Sequence, residues 1–417
     1  MRLGDTMVVI LGLSSRPQSG FVSDLYFEYT KALSGLYDEN LGLIFEYEKI
    51  SEYSETIKKH GIAILIVLTG GTRGLIINIS KISKYVVIIS HGKQNSLASA
   101  LHALYILRKE NKRKRKIVHL HMPPNKMGPD IVREHVDIFK KLADLENQRI
   151  LLIGVDSEYV SGEKYDVDRL KDVFGISVDT ISLSEFIDIY VHEQPDSSLL
   201  IKLQQRASRI PKNDLEKIAK IYATIRKTLG KRKFGGIRCF PIIMKTNVTP
   251  CIPVSELIDE GIIMACEADL SALVTMLFVE LVTNRKSFMG NIEEIDGKKI
   301  IVAHCTIACS LVEKYKYVSH FETGYSLAIE GTLKGSDVTL VKISPDIGKI
   351  FLAKGKIVES GQISNEFCRT QAVIEAEQNL EKLLAGEFAH HIILVFGDYK
   401  DKISRIAKIL GLDVICD

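Results

Sequence analysis

The chain of 417 residues is 46% hydrophobic and 26% charged, and its formal net charge is +3. This length predicts two or three domains with sizeable cores, and so small a net charge gives no support to a nucleic-acid-binding function. The seven cysteines form no CxxC pair, which is typical of a reducing compartment and argues against a disulfide framework.

No apolar run reaches the roughly 18 residues that a membrane-spanning helix requires. The apolar run at residues 7–13 is not followed by a signal-peptide cleavage pattern, so we interpret it as a first β-strand. We therefore expect a cytoplasmic globular protein with no membrane partner.

Residues 1–145 are predicted to form an α/β domain with a parallel sheet. Continuous apolar runs, which are typical of strands covered on both faces, alternate with segments that have the pattern of helices. The predicted strands are 7–13, 43–46, 62–68, 85–90 and 117–121, and the predicted helices include 22–36, 96–108 and 130–146.

Two loops of this domain contain residue types that could bind a ligand. The turn Thr69-Gly70-Gly71-Thr72 follows a strand, and its backbone N–H groups could hold an anion; a purely structural tight turn is the simpler interpretation. His91 and Asn95 follow the next strand and could contact a polar ligand or anchor their loop. The basic run 108–116 could touch phosphates, but no aromatic residue interleaves it, which favours a solvated helix end.

Residues 146–290 are predicted to form a second α/β domain, and residues 291–417 a β-rich C-terminal domain. The predicted fold class is therefore α/β, with two Rossmann-like parallel-sheet domains followed by a β-rich domain. The second domain has predicted strands at 149–155, 176–183, 234–243 and 261–266 and predicted helices at 167–174 and 199–229. The third has predicted strands at 300–304, 338–343, 349–353, 392–396 and 414–416 and a helix at 401–410.

An acidic residue, Glu267, lies between a predicted strand and a predicted helix. The strand covers 262–266, and apolar residues at helical spacing begin at Leu270. Asp269 is placed to cap this helix, because its carboxylate can accept from the N–H groups of the first turn. Glu267 has no such structural role, and open α/β folds bind their ligands at this end of a strand.

Histidines also occur at strand ends in the C-terminal region. His304 ends one predicted strand, and His390 and His391 precede another. Together with Glu267, they would suit a divalent cation of the manganese class, which binds carboxylate and imidazole ligands. Adjacent residues of an extended segment point to opposite faces, so we expect at most one of the two neighbouring histidines to reach a shared site.

Several motifs in one order resemble the L-fucose isomerase / L-arabinose isomerase superfamily, nearest its shorter fucose-isomerase-like branch. The resemblance covers the chain from about residue 150 to the end and extends more loosely to residues 95–97. The segments that carry it are 235–241 (GGIRCFP), 266–276 (CEADLSALVTM), 287–291 (SFMGN), 304–306 (HCT), 368–371 (CRTQ) and the histidine pair with 397–398 (GD).

The resemblance implies a metal-dependent aldose–ketose isomerase that acts on a monosaccharide or a derivative of one. It implies Mn²⁺ or another divalent cation as cofactor, and a homo-oligomer, trimeric or hexameric. The metal ligands that it implies are Glu267, Asn291, His304 and His391, with His390 as a rival to His391.

Two arginines and a further acid are candidates for the sugar site. Arg238 and Arg369 could bind sugar hydroxyls or a phosphate, as could His390, although buried arginines are equally often structural. Glu322 is a further candidate for the lining of the pocket.

Asn291 departs from the family pattern, because it stands where the family has a second carboxylate. An amide oxygen can coordinate a hard cation, but it carries no charge and is no base at neutral pH. Glu293, Glu294 or Asp296 could substitute by a shift of register; otherwise Glu267 is left as both ligand and base. The alternative is a non-catalytic carbohydrate-binding or regulatory relative with a degraded metal site.

Overall fold

The structure is a computed structural model that describes residues 6–15, 20–110, 115–126, 128–161, 165–207 and 210–416. Part of the predicted basic run, 111–114, lies outside these ranges. Within them, no helix is long and apolar enough to cross a membrane. The chain divides into two compact units. Unit 1 extends to Glu146 and includes Asp172–Gly175 and Ile409–Gly411, and unit 2 contains the remaining residues.

Unit 1 is built on a parallel sheet with the strand order β2-β1-β3-β4-β5. Strands β1, β3 and β4 are buried along their whole length, which explains their continuous apolar sequence. The strands are β1 (Val8–Leu13), β2 (Glu39–Ile44), β3 (Ile62–Val67), β4 (Tyr85–Ser90) and β5 (Lys116–His121). The helices are α1 (Gly20–Ala32), α2 (Tyr47–His60), α3 (Arg73–Ile82), α4 (Ser96–Glu110) and α5 (Pro129–Leu145).

The first part of unit 2 contains another parallel sheet, with the strand order β7-β6-β8-β9. Its strands are β6 (Arg149–Ile153), β7 (Ser177–Ile181), β8 (Phe234–Ile237) and β9 (Ile263–Cys266). The helices here are α6 (Ser157–Ser161), α8 (Leu183–His192), α9 (Ser197–Arg206), α10 (Lys212–Leu229), α11 (Cys239–Thr246), α12 (Cys251–Asp259) and α13 (Leu270–Thr283), and α7 (Val167–Phe174) has its last three residues in unit 1.

The C-terminal part of unit 2 is dominated by an antiparallel sheet with the order β14-β17-β10-β11-β16-β15. Because β14 also pairs with β15, the sheet closes into a barrel, and β18 joins β15 in parallel. The strands are β10 (Phe288–Asp296), β11 (Lys299–His304), β12 (Val312–Val318), β13 (Ala328–Leu333), β14 (Asp337–Ile343), β15 (Lys349–Gly361), β16 (Thr370–Ala376), β17 (His391–Phe396) and β18 (Asp413–Ile415), and the helix is α14 (Lys400–Leu410).

The predicted fold class is confirmed, with parallel-sheet α/β regions followed by a β-rich region. One predicted strand, 234–243, is wrong in its second half, because β8 ends at Ile237 and α11 follows. Pro241 lies in the first turn of this helix, where the missing N–H of a proline is tolerated. The predicted helix 199–229 is interrupted between Arg206 and Lys212, with Pro211 directly before α10.

The division into three domains at residues 145 and 290 stays a prediction. Strand β10 begins at Phe288 and crosses the second of these boundaries. We therefore move the proposed start of the β-rich region to Phe288.

A core substitution in unit 1 is expected to lower stability strongly. Leu65 of β3 is fully buried, whereas Leu101 of α4 is 52% exposed. Leu65→Ala should cost about 2–5 kcal/mol through lost burial and the cavity it leaves, and Leu101→Ala should change stability by less than about 0.5 kcal/mol. Thermal and urea unfolding of both variants measures the difference, and equal shifts of the two midpoints would contradict the assignment of β3 to the core.

Candidate active site

Glu267 and Ala268 form a tight connection between β9 and α13. Both residues have a left-handed backbone, with φ of 58° and 52°, which is unfavourable for residues other than glycine. The N–H of Ala268 donates to the carbonyl of Ile237 in the neighbouring strand at 3.0 Å. A Cβ atom on Gly236 would come within 3.3 Å of Ala268. Close packing of this corner therefore holds the strained turn, and the side chain of Glu267 reaches His390 and His391.

The carboxylate of Glu267 lies close to the side chains of both His390 and His391. Its Oε2 lies 3.2 Å from Nε2 of His390, and its Oε1 lies 3.6 Å from Nε2 of His391. The three side chains each offer a ligand atom, and these atoms lie within 4.8 Å of one another. The two imidazoles, first of all the hydrogen-bonded one of His390, hold the pKa of Glu267 well below its usual range.

The expectation that at most one of the two histidines reaches the site is wrong. Ala389 has a left-handed backbone, with φ of 57°, and β17 begins only at His391. His390 is therefore outside the extended segment, and the alternation rule does not apply to it. The two rings lie with their centroids 3.9 Å apart.

Asp269 caps α13, as its spacing predicted, and also orients His391. Its Oδ1 accepts from the backbone N–H of Ala272 at 2.9 Å, and its Oδ2 lies 2.8 Å from Nδ1 of His391. The second contact directs Nε2 of His391 toward Glu267, because the two ring nitrogens point in opposite directions.

A buried lysine balances the charge of Asp269. Nζ of Lys342, in β14, donates to Oδ2 of Asp269 at 3.4 Å, and its side chain is fully buried. Burial alone would raise the pKa of Asp269, but Lys342 and His391 outweigh it, so the pKa lies well below its usual range. For His391, burial lowers the pKa and the two carboxylates raise it, with a net upward shift.

Asn291 and His391 lie directly opposite each other on β10 and β17. Among the side chains that the structure describes, Oδ1 of Asn291 and Nε2 of His391 are buried atoms that lack a hydrogen bond. Buried polar atoms are nearly always satisfied, so both atoms are available to a ligand. The amide of Asn291 contacts the sulfur of Cys368 at 4.0 Å through Nδ2.

His304 lies beside this cluster, with its ring centroid 5.9 Å from that of His391. The backbone N–H of Thr306 donates to its Nδ1 at 3.0 Å. Burial lowers the pKa of His304 to about 4, which makes it a neutral imidazole at physiological pH.

A cavity of about 720 Å³ opens beside Glu267 and His390. Arg238 contributes a guanidinium group that lies over the ring of Tyr159, at 5.3 Å from its centroid. Glu322, which was only a candidate from the sequence, lines the same cavity. Aromatic and apolar side chains complete much of the remaining wall, among them Tyr165, Phe240, Pro241 and Met244.

Arg369 contacts neighbouring residues of the protein rather than the cavity. Its Nε donates to the carbonyl of Ser319 at 2.7 Å, and its guanidinium lies over the ring of Phe321. It is not among the described residues that line the cavity. These contacts favour the structural alternative for Arg369 over the substrate-binding one.

The sequence interpretation missed Lys342 and the two tyrosines of the cavity wall. A lysine within an otherwise apolar strand, as in 337–343 (DVTLVKI), is a usable signal, because a fully buried lysine requires an acidic partner. Tyr159 and Tyr165 belong to a polar stretch without any distinguishing pattern.

Comparisons with known proteins agree with these motifs. The family model described as L-fucose isomerase, C-terminal domain, matches residues 302–416. The sulfoquinovose isomerases of Priestia aryabhattai and Priestia megaterium are each 22% identical over 314 residues, covering 70% of this chain and 69% of the relative. That of Alkalicoccus urumqiensis is 22% identical over 302 residues, covering 67% of each chain. The predicted resemblance to the fucose-isomerase-like superfamily is thereby confirmed.

Removing the charge of Lys342 should destabilise unit 2. Lys342→Met leaves Asp269 as a buried carboxylate without its lysine, and breaking a buried pair on one side costs about 3–5 kcal/mol. Lys349→Met is the matched control, because Lys349 pairs with Glu387 at the surface, where an ion pair contributes at most about 1 kcal/mol. Unfolding midpoints measure both effects. If the two variants were equally stable, Lys342 would have no role in holding Asp269.

Proposed function

We propose that this protein is a sugar isomerase that interconverts an aldose and a ketose with the help of a divalent cation. The observation that carries the proposal is the cluster of Glu267, His390 and His391, whose ligand atoms lie within 4.8 Å of one another at the edge of a cavity. The similarity to sulfoquinovose isomerases supports the same reaction class.

The donor set fits a cation of the manganese type. One carboxylate and two imidazoles supply the oxygen and nitrogen ligands that such ions accept, and Oδ1 of Asn291 adds a buried acceptor that lacks a hydrogen bond. Asp269 holds His391 through Nδ1, the arrangement by which carboxylates orient metal-ligating histidines. A bound cation would polarise neighbouring oxygens of the sugar.

Proton transfer needs an acid/base group in the cavity, and a carboxylate that is not a metal ligand would be free for this role. The reaction moves a proton from the carbon next to the carbonyl to the carbonyl carbon itself, and the hydroxyl proton of that neighbouring carbon to the carbonyl oxygen. Asn291 cannot carry this proton, whereas Glu322 lines the cavity outside the ligand cluster. Burial raises the pKa of Glu322, which brings this carboxyl closer to the range where it exchanges protons. We assign Glu322 as the acid/base candidate and Glu267 as a metal ligand.

The named activity of the relatives makes sulfoquinovose the first substrate to test. Arg238 provides a cation in the cavity, over the ring of Tyr159, and a guanidinium group is suited to a sulfonate or a phosphate. The tyrosines and Phe240 would pack against the sugar ring. The homo-oligomer and the cytoplasmic location stay predictions.

A carbohydrate-binding protein without catalysis is the second candidate, and Asn291 is the observation that favours it. The two candidates differ in their dependence on metal. Substrate turnover that stops on treatment with a chelator supports the isomerase, whereas sugar binding that is unaffected by a chelator, without turnover, supports the binding protein.

Glu267→Gln should abolish isomerisation and weaken metal retention. The substitution keeps the shape of the side chain but removes the charge of the ligand, while Glu294→Gln removes an exposed acid and should leave both properties unchanged. Activity on a panel of aldoses and sulfoquinovose, with metal content by mass spectrometry, measures the outcome. If a register shift makes Glu294 the second carboxylate in place of Asn291, Glu294→Gln should lose activity. That result would contradict the assignment of Asn291 to the metal site.

Asn291→Asp should raise the affinity for Mn²⁺ by about tenfold or more, because it adds a negative charge beside His391. Asn291→Ala removes the amide oxygen and should lower the affinity. Calorimetric titration of the metal-free proteins with Mn²⁺ gives both values. Identical affinities in wild type and both variants would exclude residue 291 from the metal site.

A further inference from the structure

Two cysteines lie at the ends of neighbouring strands of the second parallel sheet, close to Glu267. Cys266 is the last residue of β9, and Cys239 begins α11, two residues after β8 ends at Ile237. Ile237 and Cys266 are partners in the parallel pairing of β8 and β9. The register of the two strands therefore brings both cysteines to the same end of the sheet.

The two thiols are in direct contact. The side chains of Cys239 and Cys266 hydrogen-bond to each other, and Sγ of Cys266 also lies 3.4 Å from Oγ1 of Thr306. Both cysteines are free. Two thiols in such contact need only a small displacement of their side chains to bring the sulfur atoms to the roughly 2.05 Å of a disulfide.

The two thiols differ in their access to solvent. Cys266 is buried, whereas Cys239 is half-buried and lines the cavity beside Glu267. A small polar oxidant that enters this cavity thus meets Cys239 first, with Cys266 next to it. An accessible thiol beside a second thiol is the usual arrangement of cysteines that form reversible disulfides.

A second group of cysteines provides the contrast. Cys305 and Cys368 also hydrogen-bond to each other, and both belong to an apolar core cluster with Cys251. Each of the three is at most 7% exposed, and none is among the described residues that line the cavity. Contact between thiols is thus common to both groups, and access from the cavity distinguishes Cys239.

The thiol pair is connected to the strained turn of the candidate active site. Cys266 directly precedes Glu267, which has a left-handed backbone, and the side chain of Cys239 interacts with the backbone of Glu267. The N–H of Ala268 donates to the carbonyl of Ile237, just before α11. A bond that draws Cys266 toward Cys239 would therefore act directly on the position of Glu267.

We propose that Cys239 and Cys266 form an oxidation site, which hydrogen peroxide converts into a reversible disulfide. The sulfur of Cys239 attacks one peroxide oxygen, so that the O–O bond breaks and a sulfenic acid and one molecule of water form. The sulfur of Cys266 then attacks the sulfenic sulfur and releases a second molecule of water. The two thiols lose two electrons and two protons, and the peroxide gains them.

Such a disulfide is compatible with a reducing compartment, where disulfides are transient and sense oxidants. Its effect on the metal site rests on the proposed function: the disulfide displaces Glu267 and weakens the binding of a divalent cation. The pair would then stop metal-dependent turnover under oxidising conditions until a dithiol reduces it.

Peptide mapping of the full metal-free chain after treatment with hydrogen peroxide tests the site. We expect mass spectrometry without reductant to find a cross-link between Cys239 and Cys266 that dithiothreitol removes. Cys309→Ser is the matched control, because Cys309 is also half-buried but contacts Oγ of Ser255 at 3.6 Å, and this variant should form the same cross-link. Absence of the cross-link in wild type, or its loss in Cys309→Ser, would overturn the proposal.

Cys266→Ser identifies the thiol that peroxide attacks. Without its partner, Cys239 should remain a sulfenic acid, which dimedone traps as an adduct that the same mass spectrometry locates. A peroxide-treated Cys266→Ser protein with no adduct on Cys239, or with the adduct on Cys305 or Cys368 instead, would contradict access through the cavity.

Calorimetric titration with Mn²⁺ before and after peroxide tests the effect on Glu267. We expect oxidised wild type to bind Mn²⁺ about tenfold more weakly or worse, as when a supporting contact of a metal ligand is lost, and Cys239→Ser to bind equally before and after treatment. Equal affinities of reduced and oxidised wild type would overturn this effect. Absence of Mn²⁺ binding in the reduced protein would instead overturn the proposed metal site, while mass spectrometry still decides the cross-link.

Discussion

The arrangement of the candidate active site depends on one buried carboxylate, that of Asp269. It caps the first turn of α13, contacts His391 at the start of β17, and accepts from Lys342 in β14. A single side chain thus connects the α/β part of unit 2 with its barrel. Because His391 is fully buried, its ring orientation is set by this contact rather than by solvent, and Nε2 is left directed at Glu267.

The charges of the site are consistent with a cation between Glu267 and the histidines. Lys342 balances the negative charge of Asp269. Asp269 can therefore orient His391 with little repulsion of the carboxylate of Glu267, whereas an unpaired buried charge would repel it. Among the described residues, Glu267 has no such lysine or arginine as partner; its carboxylate faces the imidazoles of His390 and His391. In the proposed metal site, the amide of Asn291 would offer an oxygen without adding negative charge, so we expect a divalent ion to be held less tightly there than by a carboxylate.

The sequence predicted those features that depend on local patterns. The buried strands of unit 1 are continuous apolar runs, and Asp269 lies at a helix start, so both were correctly predicted. The approach of both His390 and His391 to Glu267 could not be predicted, because it depends on the left-handed backbone of Ala389. Lys342 and Asp269 are 73 residues apart in the sequence. Their contact results from the closure of the barrel, which no short sequence pattern predicts. Strand β10 was also missed, because it crosses residue 290, where the sequence predicted a boundary between two domains.

The most direct test of a cation at Glu267 is anomalous scattering from crystals grown with Mn²⁺. We expect a peak at coordination distance, about 2.0–2.6 Å, from the carboxylate of Glu267 and Nε2 of His391, with Oδ1 of Asn291 turned toward it. A crystal with full Mn²⁺ occupancy at another place, or with none while the protein still isomerises its sugar, would contradict the account.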